Sequence, residues 1–369
     1  MKFVCSKSNL LTGVQTVAKA VPSKTTMSIL ECILIEADNG NIILTANDME
    51  LGIETIIKGD VLVSGKIALD AKIFLEIVRK LPDNDITIET DDNNKTTITC
   101  EKAKFNIIGK SGDDFSCLPV VEKRDPLVIS QYTLKESIRQ TIFSISDNEN
   151  NKLMTGELFE INNDELKVVS LDGHRISIRK IRLKNSYPFK KVVVPGKTLN
   201  EISKILSGDM DKDVLIYFSD KHIIFEFDNT TVVSRLIEGE YFKIDQMLSN
   251  DYETKVRINK KELLSCIDRA TLLVKEGDKK PIIINITDAG MELKINSAVG
   301  SMNEEIDITK QGKDLMIGFN PKFLIDALKV IEDEEIDIYL VNPMAPCFIR
   351  DEEGKYIYLI LPVNFTTVS

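Results

Sequence analysis

The chain has 369 residues, of which 43% are hydrophobic and 28% charged, and its formal charge is −11. These are the proportions of a soluble globular protein, and the negative balance excludes a uniformly basic nucleic-acid binder. It leaves room for local basic surfaces, while the overall charge deters indiscriminate adhesion to polyanions.

In chain order, residues 8–21 read as a helix: Ser8 or Asn9 can cap it, and Leu10, Val14, Val17 and Val21 share one face. Residues 32–37 and 41–46 read as strands turned at Asn39-Gly40. A second helix follows at 69–81, LDAKIFLEIVRKL, and then strands at 86–89 and 96–100. The order recurs. Thr133 can cap a helix carrying Leu134, Ile138, Thr141 and Ile145; strands at 158–161 and 165–170 flank Asn162-Asn163; a helix spans 195–206; strands follow at 214–218 and 222–227. In the last third Asn259 can cap a helix with Leu263, Ile267, Ala270 and Val274. Strands at 282–286 and 291–296 flank Ala289-Gly290, a helix spans 320–331, and strands at 336–341 and 356–361 come last.

The second helix of each set fixes the period. Lys72, Lys197 and Lys322 stand 125 residues apart; Phe74, Leu199 and Leu324 share a column, and so do Leu81, Leu206 and Ile331. Each lysine is followed seven residues later by another base, Arg79, Lys204 or Lys329. Seven residues at about 100° each fall about 20° short of two turns, so both bases lie on one helix face. Glu76, Glu201 and Asp326, four residues after the lysines, allow an ordinary solvated face with a surface ion pair. The threefold recurrence, with two bases against one acid each time, points instead to a repeated basic surface. A third of the length is 123 residues, close to the spacing. The expectation is three tandem domains, 1–125, 126–250 and 251–369, joined by short polar links at 122–126 and 249–254. Each is long enough to bury a core. Each is an α+β unit, two helices packed on antiparallel sheet.

The six cysteines, Cys5, Cys32, Cys100, Cys117, Cys266 and Cys347, form no CxxC pair and read mostly as buried free thiols. The first ten residues lack the apolar core of a signal peptide, and the longest apolar run, 356–363, is too short to cross a bilayer. A reducing cytoplasm fits. The chain holds no GxxxxGK[ST] or GxGxxG loop, no HExxH and no zinc-like His/Cys cluster, and only two histidines, His174 and His222. One stretch stands apart, SLDGHRI at 170–176. Its Asp-Gly is a turn signal between strands, and Asp48 holds the corresponding place 124 residues earlier. His174-Arg175 are added only in the middle third. On residues alone, an enzyme acting on an anionic substrate through His174 and Arg175 remains open, as does a monomeric protein-binding scaffold.

The triplicated helix–sheet unit, LDGHRIS at 171–177 and YIYLILPV at 356–363 together resemble the bacterial sliding clamp, the β subunit or processivity factor of the replicative DNA polymerase. LTAND at 44–48, VVP at 193–195, LIEG at 236–239 and Asn342-Pro343 match as well. The resemblance spans the chain and rests on order and spacing. It implies three tandem DNA-clamp domains per subunit and a head-to-tail homodimeric ring around duplex DNA. Lys24, Lys72, Arg79, Lys197, Lys204, Lys322 and Lys329 would face phosphates; Lys24 stands where the family often has an arginine. A partner-peptide pocket would be formed by Met154, Leu171, Gly173, His174, Arg175, Ile176, Phe242, Met247, Leu359, Leu361, Pro362 and Val363. It would take short linear peptides of the replicative polymerase, the clamp loader, and repair and translesion proteins. Phe105, Ile107, Leu272 and Leu273 would centre the subunit interface. Phe242 replaces a common proline, and the chain continues past the pocket strand as NFTTVS. The resemblance implies no catalysis, cofactor, metal or membrane.

Overall fold

The computed structural model describes residues 1–119, 121–274 and 280–365. Its α-helices come in three pairs: α1 (Lys7–Val17) with α2 (Ala71–Lys80), α3 (Gln131–Arg139) with α4 (Gly196–Ile205), and α5 (Lys260–Thr271) with α6 (Pro321–Val330). By compactness the chain divides into two units, one of Met1–Lys135 with Asn200–Leu236, the other of Glu136–Leu199 with Ile237–Ser369. The middle repeat is shared between them, because its strands complete the sheets of both neighbours.

In the first unit a nine-stranded sheet runs in the order Lys110–Ser111, Gly65–Asp70, Cys32–Asp38, Asn41–Asn47, Leu51–Ile57, Thr230–Arg235, His222–Phe227, Asp213–Phe218, Leu127–Ser130. The join between repeats is the antiparallel pairing of Val232 with Ile53 and Thr230 with Thr55, whose buried hydroxyls lie 2.9 Å apart. A five-stranded sheet, from Asp60–Val63 through Lys2–Ser6, Asp85–Thr90 and Lys95–Cys100, ends at the edge strand Ala103–Ile108. Phe3, Leu10, Val14, Ile33, Phe74, Val78 and Ile98 are fully buried among these elements.

In the second unit a seven-stranded sheet runs Gly156–Leu171, Arg175–Pro195, Tyr356–Ile360, Cys347–Arg350, Glu335–Leu340, Thr254–Asn259, Thr309–Gly312. A four-stranded sheet runs Ser301–Ile306, Gly290–Asn296, Ile282–Thr287, Leu315–Phe319. Between these and α5 and α6 lies a core that includes Ile258, Ile267, Leu293, Ile317, Phe319, Leu328 and Tyr358.

Several local expectations need correction. Strand Lys2–Ser6 feeds α1 without a loop, and the Ser6 hydroxyl accepts the Asn9 N–H at 3.3 Å, so Ser8 and Asn9 lie inside the helix. The α-helix ends at Val17 and tightens into a 3-10 turn, Ala18–Ala20, leaving Val21 outside. Ser130, not Thr133, receives an N–H at the start of α3, that of Thr133 itself at 3.2 Å. Thr141 and Ile145 fall beyond α3, and Val274 beyond α5. Asn259 does cap α5, accepting from Lys261 and Glu262 at 3.0 and 3.2 Å. Asn162-Asn163 does not turn the chain. Strand Gly156–Leu171 runs through it, pairing with Arg175–Pro195, and Asn163, with φ 53°, marks a register slip of the bulge kind. The last expected strand pair is separated by Cys347–Arg350, which bonds to both.

One repeated device escaped the sequence reading. The Lys7, Lys135 and Lys260 ammonium groups donate to the carbonyls of Leu81, Leu206 and Ile331. Each cation thus closes the end of its repeat's second helix, where carbonyls lack helical partners and the dipole is negative. Five cysteines are buried and Cys117 is exposed. Burial pushes the Cys5, Cys266 and Cys347 thiols up to about 12, which leaves them inert near neutral pH.

Candidate functional site

The basic columns of α2, α4 and α6 reach solvent as expected: Lys72, Arg79, Lys197, Lys204, Lys322 and Lys329 are all exposed, and so is Lys24 in the loop after α1. The intervening acids divide their loyalties. Glu76 pairs with Arg79, and Glu201 with Lys204 at 2.8 Å. Asp326 turns away to Arg175 at 2.7 Å. Lys24, Lys72, Lys322 and Lys329 make no ion pair among the described residues, so their charge is available to a polyanion.

In the second unit a cavity of about 450 Å³ is lined by Met154, Leu171, Gly173, His174, Arg175, Ile176, Phe242, Met247, Leu359 and Leu361, together with Pro346. The sheet builds its floor: Arg175 and Ile176 pair with Ile360 and Leu359. Met154 comes from the 3-10 turn Lys152–Thr155, and Phe242 and Met247 flank the 3-10 turn Ile244–Gln246. Tyr241 braces Phe242 edge-on, with ring centroids 5.6 Å apart. The hairpin turn at 172–174 forms one lip. Gly173 there has φ +88°, a conformation an L side chain rarely adopts. Pro362 and Val363 do not line the cavity; the Val363 N–H instead donates to the Gly318 carbonyl at 2.8 Å. Pro346 was missed because the strand it introduces, Cys347–Arg350, was not recognised.

Arg175 holds this lip and is only 7% exposed. Asp172 accepts from the N–H groups of His174 and Arg175 at 2.9 and 3.1 Å, and from Arg175 Nε at 2.9 Å. The guanidinium also bonds Asp326 and the Phe143 carbonyl, and its carbon lies 4.5 Å from the centre of the Phe323 ring. Two carboxylates and a carbonyl therefore occupy the cation on three sides. That removes the basis for an enzyme site binding an anionic substrate through Arg175. His174 is exposed, with Phe323 edge-on at 6.2 Å. Among the described residues no His, Cys, Asp and Glu cluster could hold a metal.

The expected interface residues are on the surface. Phe105, on edge strand Ala103–Ile108, is 39% exposed, and Ile107 is half-buried. Just past α5, Leu272 is 82% exposed while Leu273 leans on the core of the second unit.

Three family models cover nearly all of this chain: the DNA polymerase III beta subunit N-terminal domain over residues 1–119, its central domain over 128–243 and its C-terminal domain over 245–364. The chain belongs to the DNA polymerase III beta subunit family. It is thus three tandem clamp domains, a DNA clamp of replication and an accessory subunit without catalysis of its own. A beta sliding clamp of Staphylococcus aureus is 33% identical over 375 residues, 99% of each chain. A putative DNA polymerase III beta subunit from Eubacterium rectale is 74% identical with a TM-score of 0.96, over 99% of this chain and 100% of that one. The DNA polymerase sliding clamp of Bacillus subtilis is 35% identical with a TM-score of 0.95, at the same coverage. No helix of this clamp, among the described residues, is long and apolar enough to cross a membrane.

Proposed function

We propose that two copies of this clamp close head to tail into a ring around duplex DNA and tether the replicative polymerase to it. The observation that carries the reading is the threefold exposed pair of bases on α2, α4 and α6 in a chain of net charge −11. Such cations neutralise phosphates without reading bases, so they position a duplex and let it slide. With Lys24 they form the DNA-facing surface. The ring is supported by two sheet edges of opposite character. Strand Ala103–Ile108 carries Lys104 and the apolar Phe105, Ile107 and Ile108, and strand Ser301–Ile306 carries Glu305 and also Glu304, the latter ion-paired with Arg269 of α5, the helix that the Leu272-Leu273 pair follows. Unpaired strand edges invite pairing, and opposite charges select unlike edges, hence head to tail. The domain boundaries fall after residues 125 and 250, consistent with the repeat spacing.

The apolar cavity takes short linear peptides from the polymerase, the clamp loader, and repair and translesion proteins. Its methionines, Met154 and Met247, adapt to different aliphatic and aromatic anchors. All of this takes place in the cytoplasm. The test uses the clamp placed by its clamp loader on nicked circular DNA. The clamp stays bound through gel filtration, and cutting the circle once releases it. Equal retention on circular and linear duplex would overturn the ring.

A further inference from the structure

The chain beyond the pocket strand does not trail away. Leu361, a wall of the cavity, is tied at its N–H to the His174 carbonyl at 2.9 Å. Two residues on, the Val363 N–H bonds the Gly318 carbonyl at 2.8 Å. Gly318 lies on Leu315–Phe319, an edge strand of the four-stranded sheet, whose neighbouring side chains Ile317 and Phe319 point into the core. Strand alternation turns position 318 to the opposite face. There a Cβ on Gly318 would stand 2.6 Å from Cδ1 of Phe365 and 2.9 Å from the Val363 carbonyl. The missing side chain is therefore the seat for the Phe365 ring.

We propose that Phe365 seated on Gly318 is a latch that positions Leu361, and that the latch sets the affinity of the pocket for peptide partners. Only one residue lies between the His174 tether at Leu361 and the Gly318 tether at Val363. With one end free, the wall residue keeps a single hydrogen bond and loses its fixed place. Leu361 is already 38% exposed, and beyond it the Val363 hydrogen bond and the Phe365 contact on Gly318 anchor the chain on its C-terminal side. A peptide then binds a wall that must first be ordered, and ordering opposes binding. Phe365, which does not line the cavity, thus acts on the ligand through Leu361.

This inference rests on the pocket reading, and the experiment separates the two. The probe is a fluorescent peptide of about six residues with one Gln and two Leu, titrated into the full-length clamp. Phe365→Ala and Gly318→Ala each weaken binding about three- to tenfold, mainly through slower association because the wall must be ordered first, while Phe365→Tyr binds like the parent. The double variant is no weaker than the worse single one, because both changes break one contact. Melting temperature and dimer content stay at parental values in Phe365→Ala. The control is Met247→Ala with Leu361→Ala, which removes two lining side chains. If the control loses affinity and Phe365→Ala binds as tightly as the parent, the latch is wrong and the pocket stands. If neither changes binding, the pocket reading itself fails.

Discussion

At Glu157 the clamp buries a carboxyl in strand Gly156–Leu171, and neither oxygen meets a hydrogen-bond partner. Burial raises its pKa to about 8, and the nearby Thr141 hydroxyl gives no relief because it donates to the Ser137 carbonyl at 2.8 Å. The folded protein therefore keeps this proton at pH 7, while the unfolded chain, with the ordinary value of 4.5, has released it. Below pH 4.5 both states hold the proton and the site costs nothing from ionisation. Between 4.5 and 8 the unfolded state alone gains by ionising, so stability falls by up to about 1.4 kcal/mol per pH unit from this group. Above 8 the folded carboxyl ionises too and the loss levels off. Glu157→Gln removes the slope. In urea denaturation at pH 5.5 and 7.5, the variant gains on the parent as pH rises; a constant gap between the two would show that another group carries the dependence. Nothing in the sequence marked Glu157, because a glutamate in a strand reads as solvent-facing until its neighbours are known. Arg175 shows the same limit from the other side. Its place in the pocket was legible through the family motif, but its commitment to Asp172, Asp326 and Phe143 depends on residues up to 151 positions away.

Among the elements, the helices were the most legible because their apolar residues recur with a helical period and the whole set recurs every 125 residues or so. The strand hairpin at 156–195 was not. Asn-Asn between two apolar runs signals a turn, yet the register slip at Asn163 absorbs it and both strands continue. What decides between turn and bulge is the partner strand, Arg175–Pro195, which a local reading does not contain. The lysines that close the second helices were likewise visible as residues but not as a device. Lys7 and Lys260 lead their helices, whereas Lys135 reaches its carbonyl from one turn further in, so the three do not share a sequence column. Each ties a pair of helices that also presents the basic face. Removing one leaves a half-buried carbonyl without its cation. Lys260→Met keeps the stem and should cost about 1 kcal/mol in chemical denaturation. Lys261→Met, on the neighbouring exposed position, serves as the comparison; equal costs for the two would deny the lysine its capping role.

For the whole molecule the proposed ring turns on how little interface would close it. Leu272 is 82% exposed in the single chain and, beside the partly packed Leu273, offers an apolar surface that the proposed interface would cover. Leu273 beside it is partly packed already, so most of the gain on association comes from Leu272, Phe105 and Ile108. Truncating both leucines to Ala removes on the order of 2 kcal/mol of apolar burial at one interface. In a head-to-tail dimer the same loss occurs twice, because both interfaces form together or the ring stays open. The dimer constant should then weaken by about 4 kcal/mol, roughly a thousandfold. An open contact between two copies would lose only the single increment, roughly thirtyfold. Sedimentation equilibrium across nanomolar to micromolar concentrations distinguishes the outcomes: a thousandfold shift fits a closed ring, a thirtyfold shift an open pair, and an unchanged dimer places the interface elsewhere. High salt should weaken the parent dimer as well, since Lys104 would face Glu305 across the joint, and exposed charge pairs are screened within about 10 Å at 0.1 M salt. The leucine variant, having lost apolar contact and not charge, should keep that salt dependence while its dimer constant moves.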